Sequence, residues 1–519
     1  MHPFSKDCSS MKRSRQSLLL SGAVGLTGCL ALSLSACKVP EANAAESTAP
    51  KKPAAGKVVP ASSKTPDARP GTDVKTPFAA VRRAFELNSV NANPFADNNG
   101  QIPAQSQYSG PLFNLSHDYP TSPVAPPANP PWIAALKGRP IGKDNAIAYV
   151  NALKDYIASD MKTLLYNYPQ WDAAQAGWYN EPWLASIRES IHGTYVGSEF
   201  PANTFAASGL KVDMTTYVLT YYDDVAAYAL GQVWGKTAMN PTLTNTSGQF
   251  PEGSIVVKAA LTSALAQDWP VMEGATTWPL YVVPPNGPPT APPQVMNASV
   301  MQFDIIVKDT KTAPKTGWVF STLVYDKRVP GDAWAKMIPL GAMWGDDPNV
   351  NSTQNPSAPL METVINPVAP AYSKATLGWG GRLSGPNDGA VVAPAYYNGQ
   401  QVASVPASSC MSCHSVAEWP MKSFLLPSPT LPPQTVGDAL VIEVPGSPGW
   451  MKWFQNQPGN VPLDPGTTPL DFDMVFAFKS LPAWQQATQG KSGMQAFEAA
   501  DALHGAPPVN PRDLKYNGR

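Results

Sequence analysis

Proline is the feature that most restricts what this chain can fold into. The sequence has 57 prolines among 519 residues, roughly twice the usual share. A proline ring removes a backbone donor and clashes inside a helix, so this content disfavours long coiled coils and regular helical bundles. Only 14% of the residues are charged, and the formal net charge is −1. That balance provides no long-range field for a phosphate backbone, so we expect no nucleic-acid partner.

The start of the chain has the pattern of a bacterial export signal. A basic segment, residues 12–15, precedes an apolar stretch over residues 18–34, which is the order found in signal peptides. The stretch ends in Leu34-Ser35-Ala36-Cys37, which resembles a lipobox, whose cysteine is acylated. We expect residues 1–37 to be a lipoprotein-type signal and the protein to be held in the periplasm or cell envelope by lipid on Cys37 alone. An ordinary cleaved signal is the alternative.

Composition divides the rest of the chain into three regions. Residues 38–75 contain no aromatic residue, leucine or isoleucine and cannot bury enough apolar surface to offset their ordering entropy, which predicts a disordered linker rich in Pro, Ala and Lys. Residues 76–240 have helical patterns, and residues 241–519 have strand patterns. We expect a mainly helical region followed by a β-rich region.

The helical predictions for 76–240 come from apolar spacing. Apolar residues recur every three or four positions across 144–166, which predicts a helix with one buried face. A second helix is predicted from Pro182 to His192, where proline suits the first helical position and Gly193 follows as a stop. A third is predicted over Tyr217–Trp234.

The strand predictions come from β-branched and aromatic runs. The strongest are Ile255–Leu261, Met301–Val307 and Trp318–Tyr325, and weaker ones cover Ala439–Val444 and Phe472–Phe478. In the second run the polar Gln302 and Asp304 alternate with apolar residues, which predicts one solvated face. Strands that follow one another without helices favour antiparallel pairing. The predicted fold class is therefore α+β, with long proline-rich loops.

The segment Cys410-Met411-Ser412-Cys413-His414 has the strongest chemical pattern in the sequence. Two thiols three residues apart can add to the two vinyl groups of one haem, and the adjacent histidine can ligate the iron. In bacteria this attachment follows export, which agrees with the signal at the N-terminus. These five residues resemble c-type cytochromes. The resemblance implies one covalent haem c on Cys410 and Cys413, with His414 as an axial ligand, in a loop of the β-rich region.

A CxxC pair can serve three other purposes. A zinc site needs about four ligands, and the only other cysteines lie in the signal region. A thioredoxin-like redox pair opens a helix within a βαβ unit, and no such unit is predicted here. A structural disulfide is the third alternative. A second covalent haem would need a second cysteine pair.

The ligand opposite His414 decides what such a haem can do. A methionine there suits electron transfer, whereas an open position permits chemistry on a small ligand. Met451 and Met474 lie at separations from His414 that resemble those in small class I cytochromes. Each is equally compatible with a place in the core. The loop-like approach over Val402–Ser409 departs from the class I pattern, which has a helix around its motif.

A longer pattern resembles cytochrome P460 and the related β-sheet cytochromes c′. It consists of Glu252–Lys258, then Thr316–Phe320, then the CxxCH motif. The resemblance implies an antiparallel sheet that carries the haem, an open distal face and, in some members, activity on small nitrogen species. Some P460 members also crosslink a lysine to the haem, and the sequence does not distinguish Lys258 from Lys308 for that role. The helical region before the sheet and the 105 residues after His414 depart from the pattern.

The expected function is periplasmic electron transfer by an exported monohaem c-type cytochrome. A haem-based oxidoreductase with an open distal site, resembling P460, is one alternative, and an interaction protein with a structural haem is another. The expected partner is a redox protein or a small-molecule ligand. The sequence assigns no catalytic residue.

Overall fold

The computed structural model describes residues 101–184, 187–285, 291–388, 395–397, 400–402, 408–422, 434–436, 439–441 and 445–488. The predicted signal (1–37, with Cys37) and the predicted linker (38–75) lie outside the described residues.

The helices are short. The α-helices are α1 (Pro131–Ala135), α2 (Ala146–Tyr156), α3 (Ala158–Tyr166), α4 (Asp224–Trp234), α5 (Cys410–His414) and α6 (Leu481–Thr488). A π-helical segment, Phe476–Ser480, leads directly into α6. Single 3₁₀ segments cover Tyr168–Gln170, Ala202–Ser208, Pro270–Met272, Ala371–Lys374, Trp379–Gly381 and Trp450–Lys452.

The strands are more numerous. They are β1 (Trp178–Tyr179), β2 (Tyr195–Phe200), β3 (Met214–Asp223), β4 (Ile255–Thr262), β5 (Thr277–Val282), β6 (Gln294–Lys308), β7 (Trp318–Tyr325), β8 (Met337–Met343), β9 (Thr363–Ile365), β10 (Ala395–Tyr397), β11 (Gln400–Val402), β12 (Glu418–Trp419), β13 (Gln434–Val436), β14 (Ala439–Val441) and β15 (Thr468–Pro469).

Nine strands form one antiparallel sheet. Its order is β1-β3-β4-β6-β7-β8-β9, with β2 also paired to β3 and β5 also paired to β6. Three two-stranded pairs, β10–β11, β12–β15 and β13–β14, lie apart from it. The α+β class with an antiparallel sheet is therefore confirmed. Among the described residues, no helix combines the length and apolar character needed to cross a lipid bilayer.

The best-patterned elements were predicted correctly. The helix expected over 144–166 is present as α2 and α3, separated at Ile157, whose backbone leaves the helical region. The three strong strand predictions correspond to β4, to the second half of β6 and to β7. Of the weaker run Ala439–Val444, the described part is β14.

One helix prediction was right only in its second part, and another was wrong. The run predicted to be helical from Tyr217 is strand β3 up to Asp223, and the chain turns helical only at Asp224. Aromatic and β-branched side chains dominate β3 and all but its last residue are buried, so it shows no alternation that would mark a strand. The Asp223 carboxylate then accepts a hydrogen bond from the Ala226 amide at 2.8 Å and caps α4.

The helix predicted over Pro182–His192 is also absent from the described residues of that range. The buried carboxylate of Glu189 accepts hydrogen bonds from the amides of Ile191 and His192, each at 2.7 Å, which replaces the helical pattern there with a turn. Because β1, β2 and β3 precede residue 240 and belong to the main sheet, the expected mainly helical region over 76–240 is not helical throughout.

The strand predicted over Phe472–Phe478 was wrong as well. Phe472 has φ = +69°, a conformation that a strand does not use. The Asp473 carboxylate accepts hydrogen bonds from the amides of Val475 and Phe476 at 2.7 and 3.0 Å, which starts the helical segment that follows.

The sheet is buried on both faces. One face packs against α2 and α3 through a large apolar cluster. The opposite face contributes to a second cluster, which also includes residues of α4, α5 and the segment after 470. Residues of the first face include Leu219, Val257, Phe303, Ile305 and Leu323. Residues of the second face include Tyr222, Val256, Trp318, Phe320 and Val324.

Candidate functional site

A cavity lies against the second face of the sheet. Cys410, Cys413 and His414 all line it, so the structure brings the three predicted attachment residues to one space. The cavity volume open to the centres of water molecules is about 240 Å³. Its other walls come from β2, β3, β4, β6 and β7 and from the segments 384–388 and 471–479.

Helix α5 presents the two cysteines and the histidine. Its first turn is closed by a capping box, in which the Ser409 hydroxyl accepts from the Ser412 amide at 2.9 Å and the Ser412 hydroxyl accepts from the Ser409 amide at 2.7 Å. The Ser409 hydroxyl in turn donates to Asp346 at 2.6 Å. Burial raises the pKa of Asp346 to about 7. A short helix of five residues is therefore held at its N-terminus by side chains rather than by its own length.

The two thiols are unbonded and enclosed. Cys410 and Cys413 are both free cysteines. Burial raises the pKa of the Cys413 thiol to about 12 and raises that of Cys410 well above its usual range. Both are therefore neutral thiols near pH 7. A thioredoxin-like pair depends on a lowered thiol pKa, so this environment disfavours that alternative.

The imidazole of His414 is held at one nitrogen. Its Nδ1 donates to the backbone carbonyl of Phe472 at 2.7 Å, which leaves Nε2 as the nitrogen available to a metal. Phe320 of β7 meets the ring edge-to-face, with centroids 4.9 Å apart. Burial lowers the pKa of His414 to about 4. The ring is therefore neutral near pH 7, the state in which imidazole binds iron.

The turn that supplies the Phe472 carbonyl is itself anchored. Asp471 and Phe472 both have positive φ, +47° and +69°. The buried Asp471 carboxylate accepts from Lys308 Nζ at 2.6 Å, from Trp318 Nε1 at 2.8 Å and from the Phe250 amide at 2.8 Å. These contacts fix an otherwise unfavourable backbone. The ion pair with Asp471 therefore holds Lys308 at this turn.

A polar row crosses the apolar face of the sheet inside the cavity. Thr220, Lys258, Asp304 and Thr322 are register partners on the adjacent strands β3, β4, β6 and β7, and all four line the cavity. Lys258 Nζ lies 2.7 Å from Asp304 and 2.8 Å from Asp388. Although burial opposes it, the two carboxylates together raise the pKa of the Lys258 ammonium well above its usual range.

The face of β6 predicted to be solvated is therefore enclosed. Gln302 is 0% exposed and Asp304 4% exposed. Thr322 donates to Asp304 at 2.7 Å, and Gln302 donates to the same carboxylate at 2.9 Å. The predicted alternation of polar and apolar residues along β6 is present, but residues far away in sequence cover its polar side. Of the two lysines left open by the sequence, Lys258 is the one that lines the cavity.

The two methionines proposed as ligands lie in different places. Met474 lines the cavity, two residues beyond Phe472. Met451 is not among the lining residues. It packs against the cluster of Trp379, Trp450 and Phe454, which Met474 also contacts.

Several residues of the site carry little sequence signal. In the sequence, the polar row is marked only by single charged residues within apolar runs, Lys258 and Asp304. Asp346, Asp388 and Lys479 fall in segments without a motif, so no pattern in the sequence marks them.

Comparisons with known proteins add nothing to this geometry, because no family model, curated protein or solved structure matches the chain significantly. Within the described residues, no group of three or more His, Cys, Asp or Glu side chains is placed to hold a metal ion by itself.

Proposed function

We propose that this chain is an exported protein that binds one haem c covalently. Cys410 and Cys413 would form the thioethers, and His414 would ligate the iron through Nε2. The observation that carries the proposal is that all three residues line one cavity, while His414 Nδ1 is already bonded to the Phe472 carbonyl. A histidine oriented in this way by a backbone acceptor is the usual arrangement of a metal ligand.

The remaining walls of the cavity suit a porphyrin. Aromatic rings of Phe250, Trp318 and Phe320 supply apolar surface, and the polar row supplies charge at one part of the wall. Apolar walls with few placed polar groups are typical of cofactor sites. The haem, when bound, supplies one-electron chemistry and, if its sixth position is open, binding of a small ligand.

We propose an open sixth position and hence a haem-based oxidoreductase that acts on a small ligand. The polar row offers hydroxyl, carboxylate and ammonium groups instead of a thioether or imidazole. Such groups bind and orient a ligand and hold its protons.

Periplasmic electron transfer is the second candidate. It is favoured by the presence of Met474 in the wall of the cavity, because methionine ligation suits an electron carrier. In that case the partner would be a redox protein. Under either candidate, the attachment to a membrane would be through lipid on Cys37 alone.

The amount of covalent haem in the matured protein tests the proposed attachment. The full chain is produced in a host that attaches haem c, and a pyridine haemochrome assay measures covalent haem. We expect one haem per chain, none in the variant that combines Cys410→Ser with Cys413→Ser, and full loading in Ser415→Ala, a matched change in the same segment. Wild-type protein without covalent haem would end the proposal.

Carbon monoxide then separates the two candidates. An open site predicts a shift of the reduced Soret band on addition of the gas, and a six-coordinate carrier predicts no change. Palmitate labelling tests the anchor separately: incorporation should occur in the wild type and be lost in Cys37→Ser, and labelling that persists in the variant would exclude Cys37.

A further inference from the structure

Lys479 is a cavity residue that the proposed haem attachment does not use. It lies in the π-helical segment Phe476–Ser480. Val475, Phe478 and Lys479, spaced three and four residues apart, line the same cavity as His414. A π-helical segment is rare in proteins and occurs often at functional sites, because the extra residue per turn changes where side chains point.

The ammonium of Lys479 has no ion pair with any described residue. Its Nζ lies over the rings of Phe478 and Tyr195, 4.9 and 5.5 Å from their centroids. Burial lowers the pKa of Lys479 to about 8, and no neighbouring carboxylate offsets that effect. The side chain is half-buried, and removing an ammonium from water without an anionic partner is costly.

None of the carboxylates that line the cavity forms an ion pair with Lys479 within the described chain. Asp304 and Asp388 pair with Lys258. Asp471 pairs with Lys308. Asp473 accepts through Oδ1 from the two amides that begin the helical segment, and its buried Oδ2 makes no hydrogen bond. Lys479 is therefore the cation of this wall that lacks an anion within the described chain.

The hydroxyl of Tyr195 does not replace that anion. It lies 3.3 Å from the Thr220 hydroxyl, and the contact of Tyr195 with Lys479 is through its ring. Two aromatic faces hold the ammonium in place by cation–π attraction and leave its hydrogen-bonding capacity for another group. An ammonium held beside a cavity with apolar walls binds a carboxylate by a charge-assisted hydrogen bond.

We propose that Lys479 binds a carboxylate of the molecule that occupies this cavity. The carboxylate has two possible sources, a propionate of the haem or a separate small carboxylic acid. The first source rests on the proposed function, and the second does not.

The test uses the full-length chain without haem and zinc mesoporphyrin, a porphyrin that lacks vinyl groups and so cannot attach to the thiols. Fluorescence titration compares the free diacid with its dimethyl ester. If a propionate binds Lys479, the wild type should prefer the diacid by about tenfold or more. Lys479→Met should lose this preference, and Lys479→Arg should keep it.

Lys154→Met is the matched control. Lys154 also lies over an aromatic ring, that of Trp334 at 5.7 Å, and it belongs to α2, on the opposite face of the sheet. It should leave the diacid preference unchanged. Circular dichroism of every variant shows whether the chain is folded, and Lys479→Gln replaces Lys479→Met if the methionine variant is not.

A calorimetric titration with acetate covers the second source. Equal binding of diacid and diester, together with acetate binding that disappears in Lys479→Met but persists in Lys479→Arg, supports a separate carboxylate. A diacid preference unchanged in Lys479→Met, with no acetate response that depends on Lys479, overturns the proposal. If neither porphyrin binds the wild type, the result counts against the haem site, and the acetate titration still decides the role of Lys479.

Discussion

The Ser409 hydroxyl donates to the Asp346 carboxylate at 2.6 Å, joining residues that are 63 positions apart. Ser409 precedes the first cysteine of the CxxCH segment and caps its helix. Asp346 follows strand β8, and its own backbone carbonyl accepts from the buried guanidinium of Arg382 at 2.9 Å. The contact therefore fixes the helix that carries the thiols to the end of a strand of the main sheet.

Replacing Asp346 should weaken this attachment. We expect Asp346→Ala to lower the free energy of unfolding by about 1–3 kcal/mol, because it removes the acceptor of a buried hydroxyl. Asp346→Asn, which keeps an acceptor oxygen, should cost less. Denaturant unfolding measures both, and Asp155→Ala, at an exposed site of α2, should stay within about 0.5 kcal/mol of the wild type. Equal costs for the Ala and Asn variants would contradict this role.

The Asp471 carboxylate should be more costly to remove. Asp471→Ala leaves Lys308 without its anion and Trp318 and Phe250 without their acceptor, so we expect a loss of about 3–5 kcal/mol. The Phe472 carbonyl should then hold His414 less firmly, and the Soret band of the matured protein should broaden. As a control, Glu273→Ala breaks the exposed pair with Lys327 and should change neither property. An unchanged Soret band in a folded Asp471→Ala variant would show that the turn does not position His414.

The polar row predicts that the stability lost on replacing Lys258 depends on pH. Lys258→Met leaves Asp304 and Asp388 without their shared cation, so burial and mutual repulsion should raise both carboxyl pKa values above those of the unfolded chain. A raised carboxyl pKa means that stability falls as pH rises through that interval. The loss relative to wild type should therefore be smaller near pH 5 than near pH 8.

A double variant checks this explanation. Lys258→Met combined with Asp388→Asn removes one of the two stranded charges and should recover part of the loss at pH 8. If the double variant is as unstable as the sum of the two single variants, the carboxylates and the lysine do not act together.

His192 predicts a second pH effect outside the cavity. It stacks on Trp278 with ring centroids 4.5 Å apart, and burial lowers its pKa to about 3. The unfolded chain takes up this proton near pH 6.5, so stability should fall as pH drops from about 6.5 towards 3, by up to about 1.4 kcal/mol per pH unit.

His192→Phe should remove this part of the pH dependence whatever its effect on stability at pH 7. Tyr168→Phe is the control, because it removes a hydrogen bond to Ile191 without removing the imidazole, and it should shift the profile evenly. The prediction fails if the profile of His192→Phe keeps the wild-type slope between pH 6 and 4.

Local patterns predicted elements whose burial is one-sided or whose composition is distinctive. The α2–α3 region has a clear helical stripe, and β4 and β7 are dense in β-branched and aromatic residues. Strand β3 was misread because burial on both faces removes the alternation that identifies a strand. The turn at Phe472 was misread because its positive φ depends on the buried contacts of Asp471.

The site likewise combines features that local sequence predicts with features that depend on tertiary contacts. The spacing of Cys410, Cys413 and His414 is a local property, so one sequence is sufficient to indicate haem attachment. The polar row depends on strand register, which pairs Lys258 with Asp304 across 46 positions. The absence of an ion pair at Lys479 within the described chain depends on every segment that packs around it.

The sequence by itself determined the chemistry that Cys410–His414 suggests, the export pattern at the N-terminus and the mixed α+β class, because each follows from residue order or composition. Only the tertiary structure decided that these three motif residues share a cavity with a polar row and with Lys479. The physical reason is that burial and charge pairing are set by groups distant in sequence, and no local pattern records which of those groups will meet.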